Sequence, residues 1–203
     1  MPRVTHVNKA RKDNPAVKKG EPYYWWKFRY GGKRYSRTMP KQSQLTQSAY
    51  LGTVYSIMEE VEGWSGSDID DFESFQEDVV SQLQDLQGET QDSLDNMPES
   101  LQYSPTGELL QERIDGLDSA ESEVECIDGF YFETEDFEAE DFDEEGYEDE
   151  EEMEDARADH ESEQEELERE HEEAEATKEQ DEFNDWLSNA KEEMSGAIEA
   201  AVI

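Results

Sequence analysis

Two aromatic-rich runs flank Gly31-Gly32 within 22–38, and their alternation with polar residues is the pattern of a β-hairpin. A two-residue Gly-Gly connection supplies the positive φ angles of a type I′ or II′ turn, which predicts Tyr30 opposite Lys33, Phe28 opposite Tyr35 and Trp26 opposite Arg37. Period two then sorts the side chains. Tyr24, Trp26, Phe28, Tyr30 and Tyr35 fall on an apolar face that needs covering, and Tyr23, Trp25, Lys27, Arg29, Arg34, Ser36 and Thr38 fall on the other. Beyond Pro40 the period becomes helical. Ser43 is the expected N-cap of a helix over about 44–62, whose stripe Leu51, Val54, Tyr55, Met58 and Val61 would cover the aromatic face. Gly63-Trp64-Ser65-Gly66 ends that helix.

From Asp68 the apolar spacing alternates three and four: Ile69, Phe72, Gln76, Val79, Leu83 and Leu86, with Gln76 the one polar member. Such a seam must pack on another helix, in the same chain or in a second copy. Leu94 and Met97 carry it toward Pro98, and Ser104-Pro105-Thr106-Gly107 marks a turn. A following helix over about 108–127 carries Leu110, Ile114, Leu117 and Val124, so the pair reads as an antiparallel helical hairpin. Over 128–155 acidic residues dominate, with Phe130, Tyr131, Phe132, Phe137, Phe142 and Tyr147 spaced among them; like charge at that density predicts disorder. From Glu150 onward the Glu-rich sequence favours a solvated single helix. It ends in an amphipathic face, Phe183, Trp186, Leu187, Ala190, Met194, Ala197 and Ile198, that must dock on something.

The expected class is α+β, in five segments: a basic arm (1–21) with one short strand at most, a hairpin-plus-helix module (22–64), a helical hairpin (65–127), a disordered acidic tract (128–155) and a Glu-rich helix with an amphipathic end (156–203).

Charge sharpens this division. Residues 1–41 hold 12 of the 17 Lys and Arg against 2 acids, a net of +10; the rest of the chain holds 5 against 55, a net of −50. A basic head with aromatic rings is suited to neutralising phosphates and stacking on bases or sugars. Arg11, Lys12, Lys18, Lys19, Trp25, Lys27, Arg29, Lys33, Arg34 and Arg37 are the candidate nucleic-acid-binding residues. The plainer alternative is that cations on a solvent-facing strand serve solubility and discourage edge pairing.

Cys126 is the single cysteine, which excludes an intrachain disulfide and a cysteine-based metal cluster. The start lacks a signal-peptide core and no window resembles a membrane span, so a soluble intracellular protein is expected, with no membrane partner. His160 and His171 lie among glutamates where a divalent ion could bind weakly, although a charge run favours solvated side chains. The sequence contains no phosphate loop, zinc spacing or nucleophile elbow; the expectation is a non-enzyme without cofactor or metal.

Two blocks carry a resemblance. Ala10-Arg11-Lys12-Asp13, Lys18-Lys19-Gly20, Tyr23-Tyr24-Trp25-Trp26-Lys27-Phe28-Arg29 and Ser43-Gln44-Leu45-Thr46 form the first; Asp95-Asn96-Met97-Pro98-Glu99-Ser100-Leu101-Gln102 with Thr106-Gly107-Glu108-Leu109-Leu110-Gln111-Glu112-Arg113 form the second. Together they resemble a family of small, functionally uncharacterised proteins of tailed bacteriophages, which implies a viral origin and action in the cytoplasm of an infected bacterium. The hairpin with its helix is also similar in outline to the arm-binding domains of phage integrases, an analogy of fold alone. Three functions fit, in this order: a nucleic-acid-binding accessory protein for DNA or RNA with a regulatory acidic tail; an inhibitor whose acidic body imitates nucleic acid and occupies a host protein; and an assembly protein that oligomerises through the 69–86 seam.

Overall fold

The computed structural model of the chain describes residues 1–66, 68–142 and 150–203; Tyr147 of the acidic tract lies outside them. The chain divides into two compact units, Met1–Gly129 with Ala190–Ile203, and Phe130–Asn189. The class is α+β, with a small antiparallel sheet at the N-terminus followed by helices.

In the first unit β1 (Thr5–Val7), β2 (Tyr23–Lys27) and β3 (Lys33–Ser36) form a sheet in the order β1-β2-β3. The expected basic arm is therefore a strand plus a closed loop. The Ala10 amide donates to the Glu21 carbonyl at 2.8 Å, the Gly20 amide donates to the Ala10 carbonyl at 2.9 Å, and Asn14 Oδ1 accepts from the amides of Ala16 and Val17. Gly20 closes the loop at φ 99°, a backbone state that a Cβ would penalise. Ala10 and Val17 are buried, giving the loop an apolar anchor.

The hairpin exists, but its register differs from the Gly-Gly expectation. Tyr24 pairs with Ser36, Trp25 with Tyr35, Trp26 with Arg34 and Lys27 with Lys33, so residues 28–32 form the loop. The cause lies in the turn: neither Gly31 nor Gly32 has a positive φ, and the chain reverses instead through 28–31, closed by the Gly31 amide on the Phe28 carbonyl at 3.4 Å. Moving the pairing by an odd number of residues turns β3 over. Arg34 and Ser36 join Tyr24 and Trp26, whereas Lys33 and Tyr35 join Tyr23, Trp25 and Lys27.

A short 3₁₀ turn (Gln42–Leu45) leads to α1 (Ala49–Gly63). The N-cap is Ser48, whose hydroxyl accepts from the Leu51 amide, and not Ser43 as expected from sequence. Ser43 is taken up by Glu59, donating its amide to Oε1 at 2.9 Å and its hydroxyl to Oε2 at 2.8 Å. The buried face of α1 is Tyr50, Val54, Ile57 and Val61. Leu51 and Tyr55 are only half-buried, and they share a cleft with Phe28 of the hairpin loop.

Helices α2 (Ile69–Asp95) and α4 (Pro105–Glu125) pack antiparallel, connected through the short α3 (Glu99–Gln102). Phe72, Val79, Leu83 and Leu86 of the seam are buried with Ile114, Leu117, Ala120 and Val124, so the seam is filled from within the chain. Gln76 donates to the carbonyls of Val124 and Ile127 at 2.6 and 3.2 Å, satisfying acceptors that the end of α4 would otherwise leave open.

The last turns of α5 (Glu150–Glu199) complete this core. Met194, Ala197, Ile198 and Ala201 are buried. Lys191 Nζ donates to the carbonyls of Glu62 and Trp64 at 3.0 and 2.7 Å, and the Tyr50 hydroxyl donates to the Ala201 carbonyl at 2.8 Å. Those two links run the C-terminal segment antiparallel to α1. The amphipathic end predicted from sequence thus has its partner.

In the second unit the disorder expected over 128–155 gives way, for 130–142, to an extended strap without regular secondary structure lying along α5. Phe130 packs on Phe183 and Trp186, Lys178 Nζ lies 5.4 Å from the Phe132 ring centre, Phe137 meets His171 and Phe142 meets His160. His171 Nε2 donates to the Glu135 carbonyl at 2.8 Å and His160 Nε2 to the Glu140 carbonyl at 2.9 Å. The histidines read from sequence as solvated are half-buried and tie down the strap.

Candidate nucleic-acid interface

Alternation along β2 and the register with its neighbours put Thr5, Val7, Tyr23, Trp25, Lys27, Lys33 and Tyr35 on one face of the sheet. Trp25 and Tyr35 are direct cross-strand partners, and the Tyr23 and Tyr35 rings lie 6.1 Å apart at 42°. All three rings are half-buried, in contrast to Trp26 on the opposite face, which is 4% exposed. Lys33 Nζ stands 4.4 Å from the Trp25 ring centre, a cation–π contact at an open site.

Beside these rings, the loop after β1 contributes a second group of cations. Val7, Lys9, Arg11, Lys12, Asp13, Asn14, Tyr23 and Tyr35 line a cleft of about 550 Å³. Asp13 offsets one of these three charges, its Oδ1 held in place by the Lys19 amide at 2.7 Å, and leaves the cleft net cationic. Five cations therefore border one aromatic surface: Lys27 and Lys33 toward the hairpin loop, Lys9, Arg11 and Lys12 at the cleft.

The ten sequence candidates divide accordingly. Trp25, Lys27 and Lys33 share the face, and Arg11 and Lys12 share the cleft. Arg34 is moved to the opposite face by the register, opposite Trp26. Arg29 sits in the hairpin loop with its guanidinium 5.3 Å from the Tyr30 ring centre. Arg37 pairs with Glu21 at 3.4 Å; both side chains are well exposed, so the pair is weak and a phosphate would compete for it. Lys18 and Lys19 lie in the turn that closes the loop, with backbone amides bonded to Glu21 and Asp13.

Lys9, Tyr23 and Tyr35 are members of the site that the candidate set lacked. Tyr35 was assigned to the wrong face by the predicted register, while the loop bonds that bring Lys9 beside Tyr23 have no sequence periodicity. Among the described residues no group of His, Cys, Asp and Glu is arranged to hold a metal ion, and no helix is long and apolar enough to cross a membrane. Comparison of the chain with protein-family models, with curated proteins and with solved structures found no match.

Proposed function

We propose that this chain is a nucleic-acid-binding accessory protein whose sheet face is the binding surface and whose acidic body modulates it. One observation carries the reading: Tyr23, Trp25 and Tyr35 occupy one half-exposed face and five cations border it. Cations neutralise phosphates and release counterions, while rings add stacking. Fluorescence anisotropy of the full-length chain with labelled DNA and RNA across a salt series tests it. Affinity should fall with log salt at about −0.9 per neutralised phosphate on duplex and about −0.7 on single strands, and Lys27→Ala with Lys33→Ala should flatten the slope by one to two such steps. No binding at low salt refutes the reading.

A second reading is favoured by the strap. Phe132, Phe137 and Phe142 are half-buried while Glu133, Glu135, Asp136, Glu138, Glu140 and Asp141 are exposed, so the second unit presents ordered negative charge, as an imitation of nucleic acid would. Assembly through the 69–86 seam loses its support, because α4 of the same chain fills that seam. On the resemblance to tailed-phage proteins, we place the activity in the cytoplasm of an infected bacterium.

A further inference from the structure

The spacing of the rings narrows the ligand, an inference that rests on the nucleic-acid reading above. Tyr23 and Trp25 are two residues apart on β2, and side chains on one face of a strand repeat every 6.6–6.8 Å or so. Bases along one strand of a duplex rise by about 3.4 Å. Rings at twice that repeat can each carry a base only when the nucleic acid is drawn out of its stack. A duplex hides the faces of its bases, so half-exposed rings on a sheet would gain no stacking from it, whereas single strands offer those faces directly.

The cations are placed for the same ligand. The Lys33 ammonium, 4.4 Å from the Trp25 ring centre, covers part of the surface that a base would take. A base arriving there displaces the ammonium toward the adjoining phosphate, so the ring exchanges a cation for a stacked base and the lysine exchanges a ring for an anion. The cleft of about 550 Å³ formed by Lys9, Arg11 and Lys12 against Tyr23 and Tyr35 then receives a neighbouring phosphate. We propose that this face binds single-stranded nucleic acid, with bases on Tyr23, Trp25 and Tyr35 and phosphates at Lys33 and in the Lys9–Arg11–Lys12 cleft.

The test compares full-length chain binding to a short labelled single strand and to a hairpin duplex of the same sequence, each as DNA and as RNA. The single strand should bind about tenfold tighter or more, the scale of one or two stacked bases. Trp25→Leu and Tyr35→Leu should each lower single-strand affinity by several-fold to about a hundredfold while leaving the salt slope unchanged, and Trp25→Phe should retain most of it. Lys9→Ala, Arg11→Ala and Lys12→Ala together should reduce the slope by about 0.7, the share of the one phosphate that the cleft receives. Duplex bound equally or more tightly, or ring variants with an intact circular dichroism spectrum and unaltered single-strand affinity, overturns the single-strand proposal while the broader function stands. Failure to bind either form at low salt removes both.

Discussion

Three helical glycines separate helix propensity from packing, because alanine at each meets a different neighbour. Around Gly88 in α2 an added Cβ meets nothing, so Gly88→Ala should stabilise the chain by about 1 kcal/mol, the usual penalty of glycine within a helix. At Gly116 in α4 the Cβ would stand 3.2 Å from the Ala200 carbonyl oxygen and from Ile203 Cδ1, and 3.4 Å from Ala201 Cα. There the propensity gain is set against displacing the C-terminal turn, and the net effect should be a loss of up to about 1 kcal/mol. Gly107, at the start of α4, is the severe case. Its Cβ would overlap the Gln102 carbonyl and come within 2.8 Å of the Gln102 Cα, and a backbone cannot rotate aside as a side chain does. The α3–α4 connection would have to open, at a net cost of about 1–3 kcal/mol.

For a chain of this size each kcal/mol moves the thermal midpoint by about 2–4 °C. Thermal unfolding of the full-length variants, followed by circular dichroism, should therefore rank Gly88→Ala above the parent, Gly116→Ala slightly below it and Gly107→Ala lowest, by roughly 2–12 °C. A Gly107→Ala midpoint at or above the parent would refute the close approach of Gln102. A fall for Gly88→Ala would refute the open surface of α2.

Two further predictions concern the contacts that organise the units. Tyr50→Phe removes the 2.8 Å bond to the Ala201 carbonyl and should cost about 1 kcal/mol in denaturant unfolding near neutral pH. Burial raises the Tyr50 pKa above its ordinary value, with the Arg113 guanidinium over its ring opposing that shift, so the unfolded phenol ionises first; its contribution is intact below about pH 10 and lost as pH rises through the higher folded value, and the gap to Tyr50→Phe should close there. In the second unit, Phe137→Ala removes the ring beside His171 and should expose 130–142 to a glutamate-specific protease without loss of helical signal; unchanged cleavage would refute the anchoring role of the rings.

What the sequence discloses depends on how local the deciding interaction is. The hairpin, the seam from Phe72 to Leu86 and its partner residues Ile114, Leu117 and Val124 follow from short-range periodicity, and they appear in the structure. The register does not, because Gly31 and Gly32 lack the positive φ that a two-residue turn requires, and with the register went the facing of Arg34 and Tyr35. The buried side of α1 was read in part: Val54 and Val61 are buried as expected, but Tyr50 and Ile57 take the place of Leu51, Tyr55 and Met58. Tyr50 is held by a C-terminal segment far away in sequence, whose arrival no local pattern announces. Order in 8–22 comes from individual bonds at Ala10, Asn14 and Glu21, and order in the strap comes from rings spaced to meet α5. In both segments polar composition concealed a few well-placed anchors. At the site, Trp25 and Lys27 were legible as one face by period two along β2; Lys33, Tyr35 and Lys9 required the real pairing and the real loop.

The division of charge does not coincide with a division that can be cut. Residues 190–203 belong to the unit that carries the sheet, held by Tyr50 on Ala201, Lys191 on the end of α1 and Gly116 against Ala200. Removing everything after 128 would take Met194, Ala197 and Ile198 out of the core along with the acidic residues, so a change in nucleic-acid binding would report lost packing as well as lost charge. Any control of the basic face by the acidic body must therefore work with both present, through charge held at the high effective concentration that a tether imposes, in the millimolar range for short flexible links. Such control weakens with salt, since the screening length falls from about 10 Å at 0.1 M to about 3 Å at 1 M. Stacking, as proposed for Tyr23, Trp25 and Tyr35, would have no comparable dependence. On the proposed function, raising salt would thus weaken the competitor and the phosphate contacts together while leaving the rings in place, and neutralising exposed α5 residues such as Glu163, Glu170 and Glu173 to glutamine is the change that would reach the first of these without disturbing the core.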